Sequence, residues 1–146
     1  MSQQHPGKNA ILRLVLPIPP SINEQYATVN GHRVSTVAAR RFKQRVGRTL
    51  AELERKRVLH EELRERLRQG YLSFYMAFYF ETPLKRDLDG GLKITQDAIC
   101  ESLGLNDNRV VNIHLVKYID PLHPHLEVEL EAIEDWRFDQ EYVLLK

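Results

Sequence analysis

Two aspartates one residue apart, Asp87 and Asp89, stand between the basic pair Lys85-Arg86 and the glycines Gly90-Gly91 in the run KRDLDGGLK. Lys93 closes that run, Asp97 follows four residues later, and Asp107 lies further on in LNDNRV. Read as a helix from Asp89, the steps of four put Asp89, Lys93 and Asp97 on one face. Asp87 joins them where the chain is extended, because alternate residues then point the same way. Pairing of the strand after Asp107 beside the apolar run 71–80 would bring Asp107 back to Asp87. Carboxylates gathered in this way repel one another unless a hard cation neutralises them. Mg2+ takes oxygen ligands, keeps several waters, and is typically shared between one or two carboxylates and a substrate phosphate. It polarises a phosphoryl oxygen and acidifies bound water, and a pair of ions about 4 Å apart clamps both the attacking and the leaving oxygen. The chemistry these residues point to is metal-assisted hydrolysis of a phosphodiester. Lys93 is then placed to meet charge in the transition state. The glycines would let a phosphate approach the N–H groups at the helix start.

Each residue also has a plainer reading. Asp89 suits a helix N-cap, Lys93 and Asp97 suit a surface i, i+4 pair, and Asp107 within NDN suits a turn. An isolated D-x-D also occurs where glycosyltransferases hold manganese and a nucleotide-sugar, but a chain of 146 residues leaves no room for the nucleotide-binding domain such an enzyme needs. The conjunction of four acids with one lysine favours the metal reading.

The elements that must position these groups are legible in outline. AILRLVL at 10–16 is a strand, ended by the prolines of PIPPS. INEQYATVNGHRV is a loop or hairpin with Asn30-Gly31 as its turn. Ser35 is the expected N-cap of a helix whose apolar stripe is Phe42, Val46, Leu50 and Leu53. Leu59, Leu63 and Leu67 resume helical spacing after a phase change, so a bend or a second helix is expected, ending at Gly70. The run 71–80 is apolar on both faces and reads as a buried strand. Residues 89–104 read as a helix from Asp89 to Gly104, and 110–119 and 126–133 as strands. The order predicts an α+β fold: a single domain over 1–146, with a mixed or antiparallel sheet and two to three helices. Residues 1–9 are expected to be flexible, and 134–146 to form a tail that packs against a second subunit.

Composition narrows the class further. The charged fraction of 28% and the hydrophobic fraction of 42% are those of a soluble globular protein. One cysteine, Cys100, excludes an intrachain disulfide framework and a cysteine-built zinc site. The N-terminus has no apolar core of a signal peptide, and no run is long enough to span a bilayer, so a cytoplasmic protein is expected. The net charge of +1 conceals an asymmetry: twelve Lys/Arg stand against five Glu between Arg33 and Arg68, and eight Asp/Glu against two Lys/Arg from Asp120 onward. A basic block steers a chain toward polyanions, although a solvated helix face produces the same composition.

Taken with their spacing, the acidic residues resemble the signature of the RusA family of Holliday junction resolvases: an Arg-Asp-Leu-Asp run, a helix bearing Lys and then Asp, and a later loop aspartate. The matching stretch is RDLDGGLKITQDAICESLGLNDNRVV. A second family mark, Pro-Pro-Ser-x-Asn near the N-terminus, is matched by PPSINEQY at 19–26. The resemblance covers most of the chain from Leu12 to about Tyr118. It departs at Gly90, where the family usually has Asn, and at Asn106, where it often has Asp. It implies a Mg2+-dependent endonuclease, with Mn2+ as a possible substitute, acting as a homodimer on four-way DNA junctions in recombination and repair. Carried across by position, Asp87, Asp89 and Asp107 match the metal-binding catalytic aspartates, Lys93 the catalytic lysine, and Asp97 a further acid. Paired nicks in a symmetric junction suit a two-fold dimer. Beside such a site the expected DNA contacts are Lys85 and Arg86, then Arg40, Arg41, Lys43, Arg45 and Arg48 on the basic helix, with Asn23 and Tyr26 in the loop after the prolines. The rival readings are a nuclease for flaps or forks, and a junction-binding protein whose acids are structural.

Overall fold

A computed structural model of the chain describes residues 10–140. Strict alternation builds its main sheet. Strand β1, Ala10–Leu16, buries Ala10, Leu12, Leu14 and Leu16 and leaves Arg13 and Val15 exposed. The last strand, His125–Ile133, buries Leu126, Val128, Leu130 and Ala132 and turns Glu127, Glu129 and Glu131 to the other face. Between these two lie a hairpin of β2 (Tyr26–Val29) and β3 (His32–Ser35), then β4 (Tyr71–Phe80) and β5 (Val110–Ile119), which makes the last strand β6. The order in the four-stranded sheet is β1-β6-β4-β5. β6 runs antiparallel to both its neighbours, whereas β4 and β5 are parallel. A parallel pair needs a crossover, and the helix that supplies it carries the candidate chemistry.

All three helices contribute to one core with one face of the sheet. On β4 that face is Leu72, Phe74, Met76, Phe78 and Phe80, all buried. A fully buried Phe side chain contributes about 1.5–3 kcal/mol, so Phe74 and Phe78, at 0% exposure, are among its strongest anchors. The opposite face of β4 is buried at Ala77 but only half-buried at Tyr71, Ser73, Tyr75 and Tyr79. The expectation of burial on both faces is corrected accordingly: tyrosine and serine tolerate partial solvent, and the helices cover one side only. Tyr79 stacks there with Tyr118 at 4.8 Å and with His125 at 4.4 Å.

Local chemistry sets the element ends. Asn30 (φ 53°) and Gly31 (φ 78°) both hold positive φ, as a type I′ hairpin turn demands. Helix α1, Val37–Arg55, is capped by Thr36, whose hydroxyl accepts from Ala39 N at 3.1 Å. The expected cap, Ser35, is the last residue of β3 and is held opposite Tyr26. Arg57, at φ 63°, breaks the helix, and α2 runs Glu61–Gln69 with His60 as its cap. Helix α3, Leu92–Leu103, ends at Gly104 in the left-handed region. It begins at Leu92, not Asp89, because Gly90 N bonds to Asp87 O at 3.3 Å and Leu92 N to Asp89 O at 3.2 Å, which makes 87–91 a pair of turns. Its N-cap is Gly91, so Asp89 is not a cap. No helix among the described residues is long and apolar enough to cross a membrane.

Candidate active site

The two sequence elements that stand apart, PPSINEQY and RDLDGG, meet in space. Gln25 is 4% exposed, and its amide donates to Pro20 O at 2.9 Å and to Gly90 O at 3.0 Å. Arg86 donates to Pro19 O at 2.7 Å. Gly91 lies so close to the proline segment that a Cβ on it would stand 2.3 Å from Pro19 Cγ. A third tie comes from β5. Lys117 is in register with the buried Phe78, so its ammonium needs acceptors, and it donates to Pro83 O at 3.3 Å and Arg86 O at 2.8 Å. The loop carrying Asp87 and Asp89 is thus fixed from the N-terminal segment on one side and from β5 on the other. Sequence reasoning missed both Gln25 and Lys117. The only signal for Lys117 was a lysine at the core-facing phase of a strand; nothing marked Gln25.

On α3, Lys93 Nζ donates to Asp97 Oδ1 at 2.8 Å and to Asp107 Oδ2 at 3.4 Å. These hydrogen bonds, that to Asp97 first, raise the lysine's pKa, so it stays cationic at neutral pH. In that state it can stabilise negative charge or donate a proton. Asp107 opens a 3-10 turn over Asp107–Arg109, in which Asn106 Oδ1 accepts from Asn108 N at 3.0 Å. Arg109 anchors that turn to the start of β4 by donating to Gly70 O at 2.8 Å and Gln69 O at 2.9 Å, with Tyr71 under its guanidinium. Cys100 is buried beneath this face. Its thiol is pushed up to about 11, first by burial and then by the negative fields of Asp107 and Asp97.

β5 pairs with β4 as expected, but in parallel and with Val110 opposite Leu72, so Asp107 arrives at the start of β4 and is not brought back to Asp87, which follows the far end of that strand. The side chain Asp107 meets is Lys93. Asp87 and Asp89 are exposed, and among the described residues their carboxylates have no hydrogen bond or ion pair. No group of three or more His, Cys, Asp or Glu side chains among the described residues forms a ready-made metal cage. Two unengaged carboxylates in a fixed loop nevertheless fit a cation such as Mg2+, which typically takes one or two carboxylates and completes its shell with water and substrate.

The candidate DNA contacts divide. Lys85 is exposed, as are Asn23 in the 3-10 turn Ile22–Glu24 and Arg41 on α1. Arg40 is occupied by its hydrogen bond to Ser35 O, and Lys43 is half-buried. Tyr26 lies under the Arg33 guanidinium at 3.8 Å. Arg86 is half-buried and committed through one arm to Pro19, while its Nε is buried without a partner. His114 is exposed on β5 and lies 5.5 Å from the Tyr75 ring. In the C-terminal segment Phe138 packs edge-on against Tyr71 of its own chain at 5.5 Å and against Trp136 at 6.2 Å. The rest of the expected subunit-packing tail, 141–146, and the N-terminal segment 1–9 lie outside the described residues. No family model and no curated protein matches the chain.

Proposed function

We propose that the chain is a Mg2+-dependent, structure-selective endonuclease of the RusA resolvase type, acting as a homodimer on four-way DNA junctions. The observation that carries this reading is the fixed loop itself. Two elements separated by about sixty residues of sequence lock together through Gln25, Arg86 and Gly91, and the loop they hold presents two unpartnered carboxylates just before a helix whose Lys93 is braced between two more. A purely structural acidic cluster would spend its carboxylates on neighbours; Asp87 and Asp89 do not.

Asp87 and Asp89 would hold the cation, which when bound supplies an activated water and polarises the scissile phosphate, while Asp107, engaged by Lys93 at 3.4 Å, helps to brace that lysine. Lys93 supplies a fixed positive charge toward the developing phosphorane. Asp97 is a positioning residue that aims the ammonium and keeps it protonated. Lys85, exposed on the same loop, steers the strand as a cation with no ion pair among the described residues.

The test is cleavage of an end-labelled four-way junction over a range of magnesium and manganese, with duplex, flap and fork DNA alongside, for wild type and Asp89→Asn. Paired symmetric nicks that the variant loses are expected. Equal cutting of flaps or forks would move the substrate to branched DNA at large. Folded wild type that cuts no branched DNA would overturn the enzyme reading in favour of a junction-binding protein. Light scattering of the purified chain is expected to give twice the 17.1 kDa chain mass.

A further inference from the structure

A cavity of about 790 Å³ opens between the proline segment and α1, beside the candidate acids but not containing them. Its polar lining is dominated by four arginines: Arg41, Arg45 and Arg48 from α1, and Arg86 from the loop that continues into Asp87. The spacing of four and then three puts the helical trio on one face. Phe42 and the rings of Pro17, Pro19 and Pro20 supply apolar walls. The proline wall has no N–H to donate, and two of its carbonyls are already taken, by Arg86 and Gln25. The only acid in the lining, Glu24, is engaged with Ser21 N at 3.2 Å and Ser21 Oγ at 3.0 Å.

Among the described residues none of the four guanidiniums has a carboxylate partner. Four like charges around one concavity repel one another, by about 1 kcal/mol for a pair at 4 Å in water. The fold tolerates that repulsion here, while Arg13, Arg55, Arg64, Arg66 and Arg68 each have a carboxylate partner. Arginine, with its planar fork, matches phosphate oxygens in pairs, where lysine offers a point charge. We infer that this cavity binds the phosphodiester backbone of a DNA strand leaving the cleavage site, with Arg45 and Arg48 as its principal phosphate contacts and Arg86 as the bridge to Asp87. Such contacts fix the strand's position without reading its sequence. The inference rests on the nuclease reading for its ligand, but binding is measured without cleavage.

The experiment measures anisotropy of a fluorescent four-way junction in EDTA, titrated at several salt concentrations. It compares wild type, Arg45→Ala/Arg48→Ala, and the control Arg55→Ala/Arg68→Ala, which removes the same net charge from arginines that are ion-paired. Each phosphate contact contributes about 0.9 to the slope of log K against log salt. The cavity variant is expected to lose about two contacts' worth of slope and at least about tenfold in affinity near 0.1 M salt, with the control within about twofold and all three proteins melting alike. Equal affinity and slope for wild type and cavity variant would overturn the site while leaving the nuclease reading intact. Wild type that binds no nucleic acid would overturn both. Tight binding of a free nucleoside diphosphate, lost in the cavity variant and unaccompanied by junction binding, would reassign the cavity to a small anion.

Discussion

The basic residues of the helical region form two populations that look alike in sequence. From Arg55 onward all but Arg57 have a carboxylate partner: Arg55 and Lys56 pair with Glu52, Arg64 with Glu54, Arg66 with Glu134 and Arg68 with Glu65. Arg41, Arg45 and Arg48, about two to four turns earlier on α1, have no carboxylate partner among the described residues. The acids divide in the same way, since Asp97 and Asp107 share Lys93 while Asp87 and Asp89 have no partner among the described residues. Surface ion pairs contribute at most about 1 kcal/mol each, so the paired population adjusts stability slightly and nothing more. Arg41, Arg45 and Arg48 line the cavity, and Asp87 and Asp89 lie on the loop next to it. A charge that the fold neither needs nor neutralises is available to a ligand.

The largest effect that can break this comparison is at Lys93, the one group that belongs to both populations: it is paired, yet is assigned a role in turnover. Lys93→Ala should lower junction cleavage by about 100-fold or more, the scale on which single transition-state charge stabilisers act. Junction binding in EDTA should hardly change, and so should the melting temperature, because the Lys93 side chain is 67% exposed and its ion pairs are screened. Lys93→Arg should restore part of the rate by keeping the charge. If Lys93→Ala cleaves as well as wild type, the lysine is only a brace for Asp97 and Asp107, and the paired charges carry no function anywhere in the molecule.

A middling effect is expected where the two motifs touch. In Gly91→Ala the new methyl would meet Pro19 at a distance no real Cβ adopts, and the obstacle is a stiff pyrrolidine ring, not the end of a flexible chain. The turn or the proline segment must move, at a cost of about 1–3 kcal/mol for such overpacking, read as a lower urea midpoint. Gly90→Ala is the comparison, since its Cβ would find only ordinary contacts, the nearest at 3.6 Å. Equal midpoints for the two would show that the proline segment yields, and the loop would then be less firmly held than its hydrogen bonds imply.

Much of this architecture was legible because short-range chemistry dictates it. Asn30-Gly31 declares a hairpin, since few other pairs accept positive φ twice. The apolar–glutamate alternation of β6 declares one buried face, and the stripe Phe42, Val46, Leu50, Leu53 declares which side of α1 turns inward, with Leu53 only partly buried. The failures were tertiary. The four-residue spacing of Asp89, Lys93 and Asp97 persists across a helix end, so periodicity alone placed Asp89 inside α3. The hydrogen bond of Gln25 to Gly90 spans 65 positions and leaves no local trace. Nor does a count of charges show which arginines have partners, because Glu134 reaches Arg66 from 68 positions away.

The smallest effect lies wholly on the paired side. His125, on the acidic strand β6, is held by its ring contacts to the His123 carbonyl at 2.7 Å and to Glu127 Oε2 at 3.0 Å, and it is stacked on Tyr79. The contact with His123 O, opposed by burial and supported by Glu127, raises its pKa above the ordinary histidine value. A group whose pKa is higher folded than unfolded adds stability that is fully present below the unfolded value of about 6.5 and fades as pH rises through the folded one. Wild type should therefore lose stability between pH 5.5 and 8.5 relative to His125→Gln, by less than about 1 kcal/mol given a partner as exposed as Glu127. Subtracting the two urea-midpoint profiles removes every contribution common to both proteins. A difference that stays flat with pH, or one that grows toward alkaline pH, would contradict the assignment. Because His125 lies on the sheet face away from the helices, its loss should leave junction cleavage unchanged, as expected of a charge the fold has already neutralised.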